Sequence, residues 1–206
     1  MNQLTIGGII TNGIQIGLKN VVSIVAAVFL WLITIWIPYL NVGTTIAMLG
    51  IIVAMSKGGV ISPLEIFSAK YRKNMGEFFL LVGFLYIGVL AGSIFMIIPG
   101  IVIGIAWGQA IYLLIDKDMN PTEALAVSNR ITYGKKWTIF LGTFILAIVM
   151  IIAIIILVKI FGAIWGFLGT IVGLVGYIVM ISVMMAAYAY IYGVLSKELD
   201  TPQTAA

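Results

Sequence analysis

The chain has 206 residues, 63% of them hydrophobic and only 9% charged, with eleven Lys and Arg against seven Asp and Glu. A soluble domain carries about 45–50% apolar and about 25% charged residues, so this composition excludes an ordinary water-soluble core and calls for lipid as a second solvent. The absence of Cys and His excludes disulfides, thiolate nucleophiles and the usual zinc or haem ligands.

Met1 to Asn20 has no basic n-region, and Asn2, Gln3, Gly7, Gly8, Asn12, Gly13 and Gln15 interrupt any apolar stretch, so it reads as retained rather than as a secretory signal. Six apolar segments follow: 21–39, 42–55, 78–98, 100–115, 137–158 and 170–195. Each is near the roughly 20 residues needed to cross about 30 Å of hydrocarbon. The second and fourth are short, and the last starts from a turn around Gly162–Gly169.

Ten of the eleven cations fall on one side of these segments, and only Lys159 falls on the other. All seven acids share the crowded side, while the turns at Tyr39-Leu40-Asn41 and Pro99-Gly100 are bare. The positive-inside rule makes the crowded side cytoplasmic. The expectation is a multi-pass protein of the cytoplasmic (inner) membrane with both termini inside. The net charge of +4 belongs to this topology and implies no nucleic acid.

The motif Ser62-Pro63-Leu64-Glu65 recurs as Asn120-Pro121-Thr122-Glu123 after 58 residues, and without a gap Arg72 then falls on Arg130 and Gly76 on Gly134. The fold class this suggests is all-α: six transmembrane helices as three parallel hairpins, each preceded by a cytoplasmic interfacial amphipathic helix. The whole chain, 1–206, forms one integral membrane domain with repeats 1–56, 57–116 and 117–199 and a tail 200–206. Ser62 with Glu65, and Asn120 with Glu123, have capping-box spacing, with Pro at the first helical position. Helices are therefore predicted over 63–75 and 121–133, lying in the headgroup region.

Ile98-Pro99-Gly100, then Asp116, Pro121-x-Glu123-Ala124-Leu125, Ser128 and Gly134-Lys135-Lys136-Trp137 resemble a large bacterial and archaeal group of six-span membrane proteins. That group includes the membrane domain attached to some glycerophosphodiester phosphodiesterases. The resemblance covers 98–142, and Asn129 stands where family members often carry an aromatic residue. It implies the six-span fold and no activity, since it covers none of the soluble phosphodiesterase domain.

No ionisable residue falls inside the six segments, so proton relays and ion paths find no group to use. Gln109 is the strongest polar group at depth, either part of a polar path or a hydrogen bond across a helix interface. Asp116-Lys117-Asp118 could hold Mg²⁺ against a phosphate headgroup, but two acids do not fill a coordination shell. The favoured reading is a turn in which Asp116 and Asp118 pair with Lys117. Gly100, Gly104 and Gly108, and then Gly162, Gly166, Gly169, Gly173 and Gly176, form smooth stripes for close helix packing, within the chain or between chains. Tyr188, Tyr190 and Tyr192 read as an interfacial belt. No catalytic, cofactor or metal residue emerges. The expectation is a non-enzymatic structural or accessory protein, a homo-oligomer or a subunit of a membrane assembly, with membrane lipids as partners. The alternative is a transporter or pore for an apolar or lipid-like substrate.

Overall fold

The structure, a computed structural model, describes residues 3–59 and 61–200, and all regular structure among them is helical. In chain order the α-helices are α1 (Ile6–Thr34), α2 (Leu40–Ser56), α3 (Met75–Phe95), α4 (Ile97–Trp107), α5 (Ala110–Lys117), α6 (Pro121–Thr132), α7 (Lys136–Ile164) and α8 (Gly166–Asp200). Five stretches are long and apolar enough to cross a membrane: α1, α3, α4 with α5, α7 and α8. The chain is thus a membrane-spanning helical protein.

The expected segments reappear with different ends. The first begins at Ile6 rather than Val21, because the Thr5 hydroxyl accepts the Gly8 N–H at 3.0 Å and starts a helix that continues through the polar lead. Thr11, Gln15 and Lys19 are exposed on that lead, one helical face at four-residue steps. α1 and α7 run parallel, Ile9 against Gly142 and Gly13 against Leu146, and α8 runs antiparallel to both. α3 lies antiparallel to α4 and α5 along their joint length, from Gly92 beside Gly100 to Asn74 beside Asp118.

The second expected span departs furthest from a plain crossing. Its 17 residues rise about 25 Å, short of the hydrocarbon thickness. Gly43, Thr44, Ile46, Ala47, Gly50, Ile51, Ile52, Val53 and Met55 are all buried, so α2 is an inner helix with little lipid contact. The segment after it folds back along its side: the Tyr71 ring sits on Gly50 and the Arg72 stem on Gly43. A cation is therefore carried close to the Tyr39–Asn41 turn, which the charge pattern had left bare.

That return segment corrects the first interfacial helix. Residues 63–75 do not form an α-helix: Pro63–Phe67 and Ala69–Arg72 are short 3-10 turns separated by an extended Ser68 (φ −60°, ψ 128°). The Ser62 side chain makes no cap hydrogen bond, and Glu65 instead holds Lys70 and the Tyr71 hydroxyl. Ile66 and Tyr71 are both buried against the bundle. Five residues apart on an α-helix they would point about 140° from each other, and the break at Ser68 lets both face inward.

Candidate functional site

Two polar features interrupt the apolar bundle. The first is a break between α4 and α5 at Gly108-Gln109, inside the expected fourth span. A break frees backbone groups that lipid cannot satisfy, and α6 supplies their partners. The Ser128 hydroxyl donates to the Ala106 carbonyl at 2.7 Å and accepts the Gln109 N–H at 3.1 Å. Thr132 donates to the Ser128 carbonyl at 2.8 Å and lies 3.4 Å from the Ala106 carbonyl. Ser128 and Thr132 are fully buried. α6 is thus docked on α4 and α5 through Ala124, Ser128, Ile131 and Thr132 rather than merely resting at the headgroup level. Its start is built by Asn120, whose Oδ1 accepts the Glu123 N–H at 2.9 Å, with Glu123 Oε2 3.2 Å from the Asn120 amide nitrogen. The Gln109 side chain is 2% exposed, and its Oε1 alone among the described buried side-chain polar atoms lacks a hydrogen-bond partner.

The second feature is a charged basin of about 430 Å³ between one face of α2, the end of α5 and the return segment. Ile46, Gly50 and Val53 form its apolar wall, and Lys57, Lys70, Lys73, Asp116 and Asp118 its polar one. Asp116 and Asp118 do not form a self-contained turn pair. The Asp116 side chain, 5% exposed, takes the Lys57 ammonium and the Tyr192 hydroxyl, the latter at 2.7 Å. Asp118, in the left-handed region at φ 51°, accepts from the Asn74 amide at 2.7 Å and from Lys73 at 3.4 Å. The Asn74 hydrogen bond and then the Lys73 charge hold the Asp118 carboxyl below its usual range. Lys70 does the same for Glu65, against a smaller opposing effect of burial, while burial raises the Tyr71 phenol. Each lysine of the basin already has its acid, so the basin is a closed set of ion pairs stitching four segments together.

The glycine stripes pack inside the chain. Gly92 and Gly100 bring α3 and α4 into backbone contact, and a methyl group on Gly100 would strike Ser93. Gly104 meets Val89 at an ordinary distance, and Gly108 faces the carbonyl of Gly104 at the break, so these three are not one continuous surface. On α8 a Cβ at Gly169 would lie 2.8 Å from the Gly162 Cα, one at Gly173 3.2 Å from Val158, and one at Gly176 2.9 Å from Ile154. Gly166 meets nothing and lies outside the contact.

Sequence reasoning missed the closest approach of a glycine to another helix's backbone, at Gly17 against Val183, with Gly13 against Ala187 one turn away, between α1 and α8. The four-residue spacing of these glycines, opposite the small residues Ala186 and Ala187, is the signal that could have found it. Tyr192 is not a belt residue: it is fully buried, edge-on to Tyr112 with ring centroids 5.6 Å apart. Among the described residues no group of three or more His, Cys, Asp or Glu comes together as a metal site. Compared with protein-family models, with curated proteins and with solved structures, the chain matches none.

Proposed function

We propose that this chain is a non-enzymatic inner-membrane protein, a structural or accessory component of a membrane assembly, with both termini cytoplasmic. The observation that carries the assembly reading is the α7–α8 arm. Between residues 147 and 181 only Gly169 is buried, although both helices are continuous over this length. Ile151, Ile152, Ile155, Ile156 and Ile160 stand exposed on α7, a continuous apolar face that nothing else among the described residues covers. The glycines between the two helices hold them together as one unit, so the arm presents a fixed outer face to lipid or to a partner's helices. The closed ion pairs of the basin leave Asp116 and Asp118 with structural work, which fits a protein without covalent chemistry.

For topology, α1 and α7 start from the same end and α8 returns to it, which supports an even number of passes, with α2 as a short inner leg. Single cysteines replacing Gln3 and Lys159 in this cysteine-free chain test the orientation. Lys159→Cys should react with an impermeant maleimide from outside intact cells and Gln3→Cys only after lysis; the reverse pattern refutes it. A photo-crosslinker at Ile152 tests the assembly reading: a discrete adduct of fixed size supports it, and lipid adducts alone refute it.

A second reading, transport of an apolar or lipid-like substrate, is favoured by the break at Gly108-Gln109, because transporter binding sites are typically formed by discontinuous helices. Substrate-dependent protection of Gln109 variants from unfolding would favour it over assembly.

A further inference from the structure

A lateral groove of about 460 Å³ lies on the opposite side of α4 from its α3 contact, away from the basin. Its walls include Ile98, Ile101 and Ile105 on α4 and Trp137 and Phe140 on α7, with Lys136 as its one charged lining residue. No acid lines it. Lys136 is half-buried, and its ammonium donates to Asn129 Oδ1 at 3.1 Å and lies 5.6 Å from the centre of the Tyr133 ring. Among the described residues no carboxylate pairs with it, in contrast to Lys57, Lys70, Lys73 and Lys135.

We propose that this groove binds one acyl chain of an anionic membrane lipid, with the phosphate headgroup on Lys136. An ammonium has three donors; Asn129 takes one, leaving two for phosphate oxygens in a charge-assisted contact. From Ile98 to Ile105 the α4 wall runs about 10 Å, with aliphatic and aromatic surface throughout, which suits a hydrocarbon tail and offers nothing to a polar solute. Trp137 is 74% exposed beside the cation, where an indole ring belongs at the membrane–water boundary. A helix of a second copy would cover Lys136 without a counter-charge, which disfavours that occupant. A zwitterionic headgroup brings its own ammonium toward the lysine and gains less. The groove and its cation are separate from the α7–α8 arm, so this proposal stands or falls apart from the assembly reading.

The test uses the full chain in phosphatidylcholine nanodiscs containing small amounts of lipid with brominated tails, which quench nearby indoles. The Trp137 signal is taken as the difference from Trp137→Phe. Brominated phosphatidylglycerol should half-quench Trp137 at a concentration about fivefold lower than brominated phosphatidylcholine, the factor expected for one lysine near an anionic surface, about 1 kcal/mol. Lys136→Gln should abolish the difference, whereas Lys136→Arg and the distal Lys159→Gln should keep it. Ile101→Phe, which narrows the groove at the middle of its α4 wall and leaves Lys136 in place, should reduce the two lipids to the equal quenching that bulk lipid imposes on the exposed indole. Equal quenching of the native chain by the two lipids overturns the proposal, as does a preference that survives Lys136→Gln. A phosphatidylglycerol preference that persists undiminished in Ile101→Phe places the lipid outside the groove and overturns it too. Should Lys136→Gln fail to fold, the native chain, Lys136→Arg and Ile101→Phe still decide the matter.

Discussion

The Ser182 hydroxyl on α8 donates to the Gly17 carbonyl on α1 at 2.7 Å, at a point where a Cβ on Gly17 would lie 2.6 Å from the Val183 Cα. Backbone meets backbone there, and no side chain can move aside. Gly17→Ala should therefore lower stability in detergent by about 2 kcal/mol or more, the scale of overpacking in a tight core. Gly7→Ala on the same helix, with open space at its Cβ, should not. Equal melting temperatures for the two would show that α1 and α8 separate in detergent.

The α8 stripe makes a graded prediction. Gly169→Ala presses on the backbone of Gly162 and should cost about 1–3 kcal/mol. Gly173→Ala meets only the Val158 side chain and should cost less, and Gly166→Ala should cost nothing by this route. Because these contacts lie within one chain, size-exclusion profiles should stay unchanged. A shift toward smaller species on Gly169→Ala would place the stripe between chains instead.

At the break in the fourth span, Ser128→Ala strips the Gln109 N–H of its partner and leaves the Ala106 carbonyl only the longer Thr132 contact, at an expected cost of about 1–3 kcal/mol. Gln109→Met should be neutral or stabilising, since it removes a buried oxygen that has no partner and keeps the volume. Guanidinium or heat unfolding of both variants measures the contrast. A large loss in Gln109→Met with none in Ser128→Ala would invert the account.

Asp116 and Tyr192 should be coupled. A buried carboxylate–phenol hydrogen bond is worth about 1.5–3 kcal/mol, so Tyr192→Phe and Asp116→Ala should lose less together than the sum of each alone. Asp116→Asn with Asp118→Asn bears on the non-enzymatic proposal: any loss of cellular phenotype should track a loss of stability or abundance. Loss of phenotype with intact fold and abundance would assign these acids a chemical role.

Acid should loosen the return segment before the bundle. The Glu65 carboxyl is held below its ordinary 4.5, chiefly by the Lys70 hydrogen bond, and Asp118 is held below 3.8 by Asn74 and Lys73. A depressed folded-state pKa stabilises above the ordinary value and ceases to do so as pH falls through the depressed one. A spin label on Ala69→Cys should thus keep a constant, broad spectrum from pH 8 down to the ordinary carboxylate range, about 4, and sharpen below it. Sharpening between pH 6 and 7 would require a different titrating group.

The apolar lengths of five crossings were legible, because twenty greasy residues have few other uses; the largest shift of an end is at α1, where the Thr5 cap starts the helix at Ile6. The return segment was not legible. Ser62-Pro63-Leu64-Glu65 and Asn120-Pro121-Thr122-Glu123 have the same local chemistry, yet only the second starts an α-helix. The difference lies in Gly50 of α2, which admits the Tyr71 ring and draws the chain out of helical register. Likewise Gln109 was visible as a polar residue at depth, but the Ser128 and Thr132 hydroxyls that sustain the break sit about twenty residues on, and only the fold brings them there. Lys57 and Tyr192 reach Asp116 from 59 and 76 residues away, beyond the reach of any local pattern.

The pairing of α1 with α8 also sets a schedule for biogenesis. Gly17 and Ser182 are 165 residues apart, so at roughly 5–20 residues per second a ribosome takes about 10–30 s between making one and the other. For that interval the first helix stands in the bilayer with its tightest face unmatched, smooth, and open to any small-residue helix nearby. Native packing is then the last event of synthesis rather than the first. A chain cut short before Ser182 never covers that glycine face.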